Sequence, residues 1–167
     1  MGIVKNRYLK KRGQEPQNRL KWISHPSKVK KLLLITNEEQ KSIKRKCEEL
    51  FQNASVLHLY EREIKVDNSK GFYYTVHKSD FNLTGKLKND KLVNLSKMEF
   101  DLLIDLSSDS EELDYFLRTV RAGLKVGDLT TKDKTAYDLF LNFASKDSQA
   151  IEQIHTQLAY LTKNEQV

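Results

Sequence analysis

The sequence predicts an α/β domain: a three-layer α/β/α, Rossmann-like sandwich around a mostly parallel sheet of five or six strands. Three observations predict it. The apolar runs in VKKLLLIT (Val29–Thr36) and FDLLIDLSS (Phe100–Ser108) are too continuous for strands with one wet face, so they mark strands buried on both sides. Polar caps and amphipathic helical periods follow such runs. A unit also repeats: YDLFLNFAS (Tyr137–Ser145) echoes FDLLIDLSS at an offset of 37 residues. Strand, cap, helix, then strand again is the signature of parallel strands joined by right-handed crossovers.

Taken in order, the chain divides into a basic N-terminal extension, residues 1–28, and a single α/β domain, residues 29–167. In the extension Ile3, Val4, Tyr8 and Leu9 are spaced for one amphipathic turn, which Gly13 and Pro16 interrupt. Leu20, Trp22 and Ile23 form a second apolar patch that is expected to dock on the body, since an exposed Trp is costly. The first strand ends in Leu32–Ile35. Thr36-Asn37-Glu38-Glu39 then has capping-box spacing and predicts that a helix opens there. Its stripe of Ile43, Cys47, Leu50 and Phe51 makes Cys47 a core residue rather than a nucleophile. Ser55–Tyr60 reads as a second strand and Gly71–His77, rich in aromatic and β-branched residues, as a third. After Phe100–Ser108, Leu113, Phe116, Leu117 and Val120 share a helical face that is expected to end at Gly123. Leu124–Gly127 follows as a short strand. The last helix places Ile151, Ile154, Leu158 and Leu161 on one face.

At 167 residues the chain suits one domain, long enough to bury roughly two-thirds of its unfolded surface. No apolar run approaches the ~20 residues of a membrane span, and the first residues lack the apolar core of a secretion signal. One cysteine excludes an intrachain disulfide, and a cytoplasmic location is expected. Charge is unevenly spread. Met1–Lys31 holds ten Lys/Arg and one acid, a net of +9, while the remainder holds 19 basic and 22 acidic side chains, a net of −3. Such asymmetry points to a polyanion as partner. Lys5, Arg7, Lys10, Lys11, Arg12, Arg19 and Lys21 are the candidate polyanion-binding residues.

Ligands of open parallel sheets gather beyond the carboxyl ends of the strands. That rule selects Asn37, Lys78–Lys86, Asp105–Ser108 and Asn142–Lys146, and within these Asn37, Asp80, Asn82, Gly85, Lys86, Asp105 and Ser107 are the candidate ligand-binding residues. The loop Ser79–Lys86 contains a Gly-Lys pair, but Asp80 stands where a phosphate loop needs its first glycine, and Leu87 follows the lysine. Asp101 and Asp105 lie at the start and end of one strand, too far apart to share a water, and Asp138 repeats the first of them. That repetition favours a structural role for the starting aspartates. His25, His58, His77 and His155 lack metal-ligand spacing, so no metal, cofactor or catalytic residue is assigned.

Asp80–Lys86, Phe100–Ser107, Lys125-Val126-Gly127 and Tyr137-Asp138-Leu139 together resemble an uncharacterised domain-of-unknown-function family widespread in Bacteroidetes. The resemblance covers about Leu32 to Lys163. Members of that family have a basic N-terminal stretch and no established activity, so it implies a fold and a cytoplasmic setting without a reaction. A shorter similarity joins FDLLIDLSS and Leu124–Gly127 to the N-terminal half of heptosyltransferase-type glycosyltransferases. Those enzymes hold their donor with a second Rossmann-like half, and this sequence ends at Val167.

The expected function is thus a non-catalytic binding protein whose basic arm contacts a polyanion such as RNA, free or in the ribosome. Its alternatives are a small-ligand or glycosyltransferase-like site on the loops after the strands, and attachment to an anionic membrane surface through the first helix.

Overall fold

The computed structural model describes residues 25–37, 40–60, 73–75, 78–82, 86–107, 116–130 and 136–163. Among these residues six parallel strands form one sheet: β1 (Lys31–Thr36), β2 (Ser55–Tyr60), β3 (Tyr73–Thr75), β4 (Glu99–Asp105), β5 (Arg121–Asp128) and β6 (Leu139–Leu141), in the spatial order β3-β2-β1-β4-β5-β6. The predicted Rossmann-like α/β architecture is what the chain adopts. This order is that of doubly wound nucleotide-binding sheets, with the reversal of winding between β1 and β4.

Burial on both faces explains the apolar runs. Leu32 and Leu34 of β1 face one core with Leu102 and Ile104 of β4, while Leu33, Ile35 and Leu103 face the other. The first core is covered by α1 (Lys41–Leu50), through Ile43 and Cys47, and by α3 (Ser148–Lys163), through Ile151, Ile154 and Leu158. The second is covered by α2 (Asp90–Lys97), through Leu92 and Leu95, and by a helical segment at residues 116–119, with Phe116, Leu117 and Val120 buried. The helix after β1 and the helical segment after β4 thus lie on opposite faces, as the chain winds outward both ways from the centre.

Several local expectations are corrected. The helix after β1 starts at Lys41, behind an N-cap Gln40 that makes no side-chain cap bond, so the Thr36–Glu39 spacing does not open it. Gly123 lies inside β5 rather than closing a helix, and that strand runs eight residues instead of four. Of the expected third strand Gly71–His77, Tyr73–Thr75 is strand, and Gly71, Phe72, Val76 and His77 lie outside the described residues. On α3, Leu161 is exposed and Thr162 is buried in its place, its hydroxyl donating to the Leu158 carbonyl at 2.7 Å.

Before β1, a 3-10 turn at Pro26–Lys28 packs on α3, with Pro26 buried and the Ser27 carbonyl accepting from Asn53 Nδ2 at 2.9 Å. Asp101 Oδ2 then takes the backbone N–H groups of Lys30 and Lys31, at 2.7 and 2.9 Å. Asp138 Oδ2 does the same for Lys125 at 3.0 Å. Each aspartate near a strand start tethers the neighbouring strand, which is the structural role their repetition suggested.

Candidate functional site

Buried polar side chains are distributed unevenly over the sheet. Thr36 ends β1, His58 lies near the end of β2, Asp105 ends β4 with Ser107 just beyond, and Asp128 ends β5; all are buried. These carboxyl ends flank the reversal between β1 and β4. The parallel register brings them to one edge, because Ile35 stands beside Asp105 and Leu34 beside His58.

Asp105 organises the centre. One carboxylate oxygen, Oδ1, accepts from the Ser107 N–H at 2.8 Å and the Ser107 hydroxyl at 2.6 Å, and Oδ2 accepts from the Tyr137 hydroxyl. Burial pushes its pKa up; the bonds from Ser107 and Tyr137 and the Lys146 charge pull the other way without cancelling the rise. Tyr137 reaches Asp105 by lying over β5 at Gly127, where even a Cβ would come within 2.7 Å of the ring. Lys146, after β6, donates to the Ser107 carbonyl at 2.7 Å and pairs with Asp128 at 3.3 Å. Desolvation alone would raise Asp128, but bonds from Thr130 together with Lys146 outweigh it, and its pKa falls.

The other side of the reversal is neutral. Thr36 Oγ1 and His58 Nε2 are 2.8 Å apart and buried. Burial first, and the Lys44 charge second, hold the His58 pKa down at about 4, so the imidazole is uncharged at neutral pH.

The candidate residues fall into separate groups. Asp105 and Ser107 form the centre just described, and Asn37 lies half-buried beyond β1. The Asp80–Lys86 loop uses its polar groups locally: Asp80 Oδ1 accepts from Asn89 Nδ2 at 3.0 Å, and Asn82 Oδ1 from the Lys86 N–H at 2.9 Å. Lys86 is exposed, and Gly85 lies outside the described residues. The strand feeding this loop, β3, is three inter-strand spacings from β4, or ~14 Å. Lys5, Arg7, Lys10, Lys11, Arg12, Arg19 and Lys21 lie outside the described residues, as do Leu20, Trp22, Ile23 and the capping-box glutamates. Tyr137, Asp128, Gly127 and the Thr36–His58 pair were not singled out from sequence, whereas Lys146 closes the window Asn142–Lys146 that strand direction selects. A signal existed for Tyr137: the repeat aligns it with Phe100, so its hydroxyl is the departure from an apolar position.

Among the described residues no group of three or more His, Cys, Asp or Glu side chains could hold a metal ion, and no helix is long and apolar enough to cross a membrane. Burial raises the Cys47 thiol pKa, with the Glu48 charge adding to it, which suits a packing residue.

Residues 3–163 match a family of unknown function, DUF6913. The chain belongs to that family. The match begins at residue 3, so the basic leader lies within the stretch the family shares. Neither the curated proteins nor the solved structures contain a match.

Proposed function

We propose that this member of the family is a binding protein whose basic leader contacts a polyanion, with RNA, free or in the ribosome, as the partner. The charge division carries the reading: a net of +9 over Met1–Lys31 against −3 over everything after it. Basic groups interleaved with Tyr8 and Trp22 suit a strand that offers both phosphates and unpaired bases. The family match from residue 3 supports it by making the leader part of the shared unit. A cytoplasmic location goes with the reading. The test is ultraviolet crosslinking in cells of the full chain against a variant carrying Lys5→Gln, Arg7→Gln, Lys10→Gln, Lys11→Gln, Arg12→Gln, Arg19→Gln and Lys21→Gln. RNA should be recovered with the first and not with the second. Equal recovery would defeat the proposal.

A second reading, a small-ligand site at the carboxyl edge, is favoured by the buried polar groups gathered at the β1/β4 reversal. The glycosyltransferase-like run Phe100–Ser108 leads into the same place. A thermal-shift screen against nucleotides and nucleotide sugars tests it, since ligand at 100 times its Kd stabilises by about 2.7 kcal/mol. No shift at saturating concentrations would remove it.

A further inference from the structure

All six strands run one way, so their first residues share one edge, and the chain passes from that edge into the leader at His25. The edge is basic. Lys28, Lys30 and Lys31 are exposed where the chain enters β1, and Arg121 is exposed at the first position of β5. Lys97, also exposed, closes α2 just before β4 begins. Exposed Lys163 closes α3. Packing brings α3 to this edge: Glu152 pairs with Lys46 and His155 stacks edge-on against Phe51, so α3 runs beside α1 and its last two turns extend beyond it. His25 lies close enough to His155 that its charge adds to desolvation in lowering the His155 pKa.

Among the described residues, the acids of this edge are engaged. Asp101 holds the Lys30 and Lys31 amides, and Glu99 faces Arg121 at 3.5 Å with both side chains more than half exposed, a weak pair in which a phosphate can replace the carboxylate. Glu48 and Glu49, near the end of α1, pair with Lys44, Arg45 and Lys46. Cations at helix C-termini are favoured by the helix dipole, which accounts for Lys97 and Lys163 taken singly. It does not account for the cluster on the strand starts. Among these cations stands an aromatic: Tyr160, in the last turns of α3, is 66% exposed, more than any other exposed large apolar side chain of the described residues.

We infer that this edge, with Lys28, Lys30, Lys31, Lys97, Arg121 and Lys163 gripping phosphates and Tyr160 stacking on a base, is the surface along which single-stranded RNA lies as it continues from the leader. The inference rests on the RNA reading above. Lys31 and Arg121 stand two strand spacings apart, ~10 Å, so one strand of nucleic acid can span both. A lipid surface fits less well. Met98 on the α2 side and Tyr160 and Leu161 on α3 are set apart across the thickness of the sandwich rather than gathered into one insertable patch.

The experiment uses the full chain and a labelled oligouridine of about 15 nucleotides, followed by fluorescence anisotropy over a range of salt. The triple variant Lys31→Gln, Lys97→Gln, Arg121→Gln should lower the slope of log affinity against log salt by about 2, at ~0.7 for each phosphate no longer neutralised. Tyr160→Ala should weaken binding about 5- to 150-fold with the slope unchanged, and Tyr160→Phe should restore it. These side chains are exposed, so unchanged thermal melting establishes that the variants fold. If the neutralised leader abolishes binding while both edge variants match wild type, the edge inference fails and the RNA reading stands. If wild type shows no salt-dependent binding, both fail. Loss of sedimentation with phosphatidylserine vesicles in the edge variants, with RNA binding intact, would overturn the inference in favour of lipid.

Discussion

Gly127→Ala tests whether the carboxyl edge is built as tightly as its hydrogen bonds imply. An added Cβ would stand 2.7 Å from Tyr137 Cδ1 and 2.8 Å from both Cγ and Cε1, where ordinary contact begins near 3.4 Å. The crowded atoms run along one side of the ring from its root towards the hydroxyl, so a small swing of the tip alone gives no relief. Tyr137 is buried, with Phe140 against it at 5.8 Å between ring centroids, and retreat would draw its hydroxyl from Asp105. Overpacking costs about 1–3 kcal/mol. Weakening a hydrogen bond to a buried carboxyl adds about 1.5 kcal/mol. Urea unfolding followed by far-UV circular dichroism should therefore show destabilisation of roughly 2.5–4.5 kcal/mol with the denaturant slope unchanged. The corresponding drop in Tm is roughly 5–15 °C. In a Tyr137→Leu background the cost should shrink by about 1 kcal/mol or more, because the clash is with the ring. A cost below about 0.5 kcal/mol, or an equal cost in both backgrounds, would refute the packing argument.

Three further outcomes follow from buried titratable groups. With its folded pKa of about 4 below the ordinary ~6.5, His58 contributes stability that is complete above pH ~6.5 and lost as pH falls towards 4, a total of about 3 kcal/mol. Stability measured at pH 7 and near pH 4.5 should fall less for His58→Gln than for wild type by nearly that margin; equal falls would count against it. Asp105 has the opposite sign: its raised pKa means stability present below the usual carboxylate range and withdrawn as pH rises, so Asp105→Asn should gain on wild type between pH 4 and pH 7. A gap that stays constant over that range contradicts the shift. Cys47, fully buried with a raised thiol pKa, should resist thiol reagents in the native protein and react on unfolding; rapid native labelling would place it elsewhere.

The sequence disclosed the sheet better than its punctuation. Leu32–Ile35 and Phe100–Leu106 announced β1 and β4 because strands buried on both faces cannot alternate. The full β5 was hidden because Arg121-Ala122-Gly123 also suits a helix end, and only pairing with β4 makes it a strand. The helix α2 was not assigned: eight residues with Leu92 and Leu95 as the buried pair are too few to establish a period. Thr162 could stand where Leu161 was expected because its hydroxyl is satisfied within its own helix. At the carboxyl edge, Asp105 and Ser107 followed from strand direction alone. The same rule reached Lys146 through Asn142–Lys146 but not its bonds, and it did not reach Tyr137, because both contacts depend on the β5–β6 pairing and the space left by Gly127.

The most direct test of the account is the salt dependence of RNA affinity for the full chain, compared with the chain whose seven leader cations from Lys5 to Lys21 are replaced by glutamine. Wild type should bind with a steep negative slope, and the replaced chain should bind weakly with a slope shallower by as much as about 5, at ~0.7 for each phosphate left without its cation. Superimposable salt curves for the two proteins would contradict the claim that the leader is what grips the polyanion.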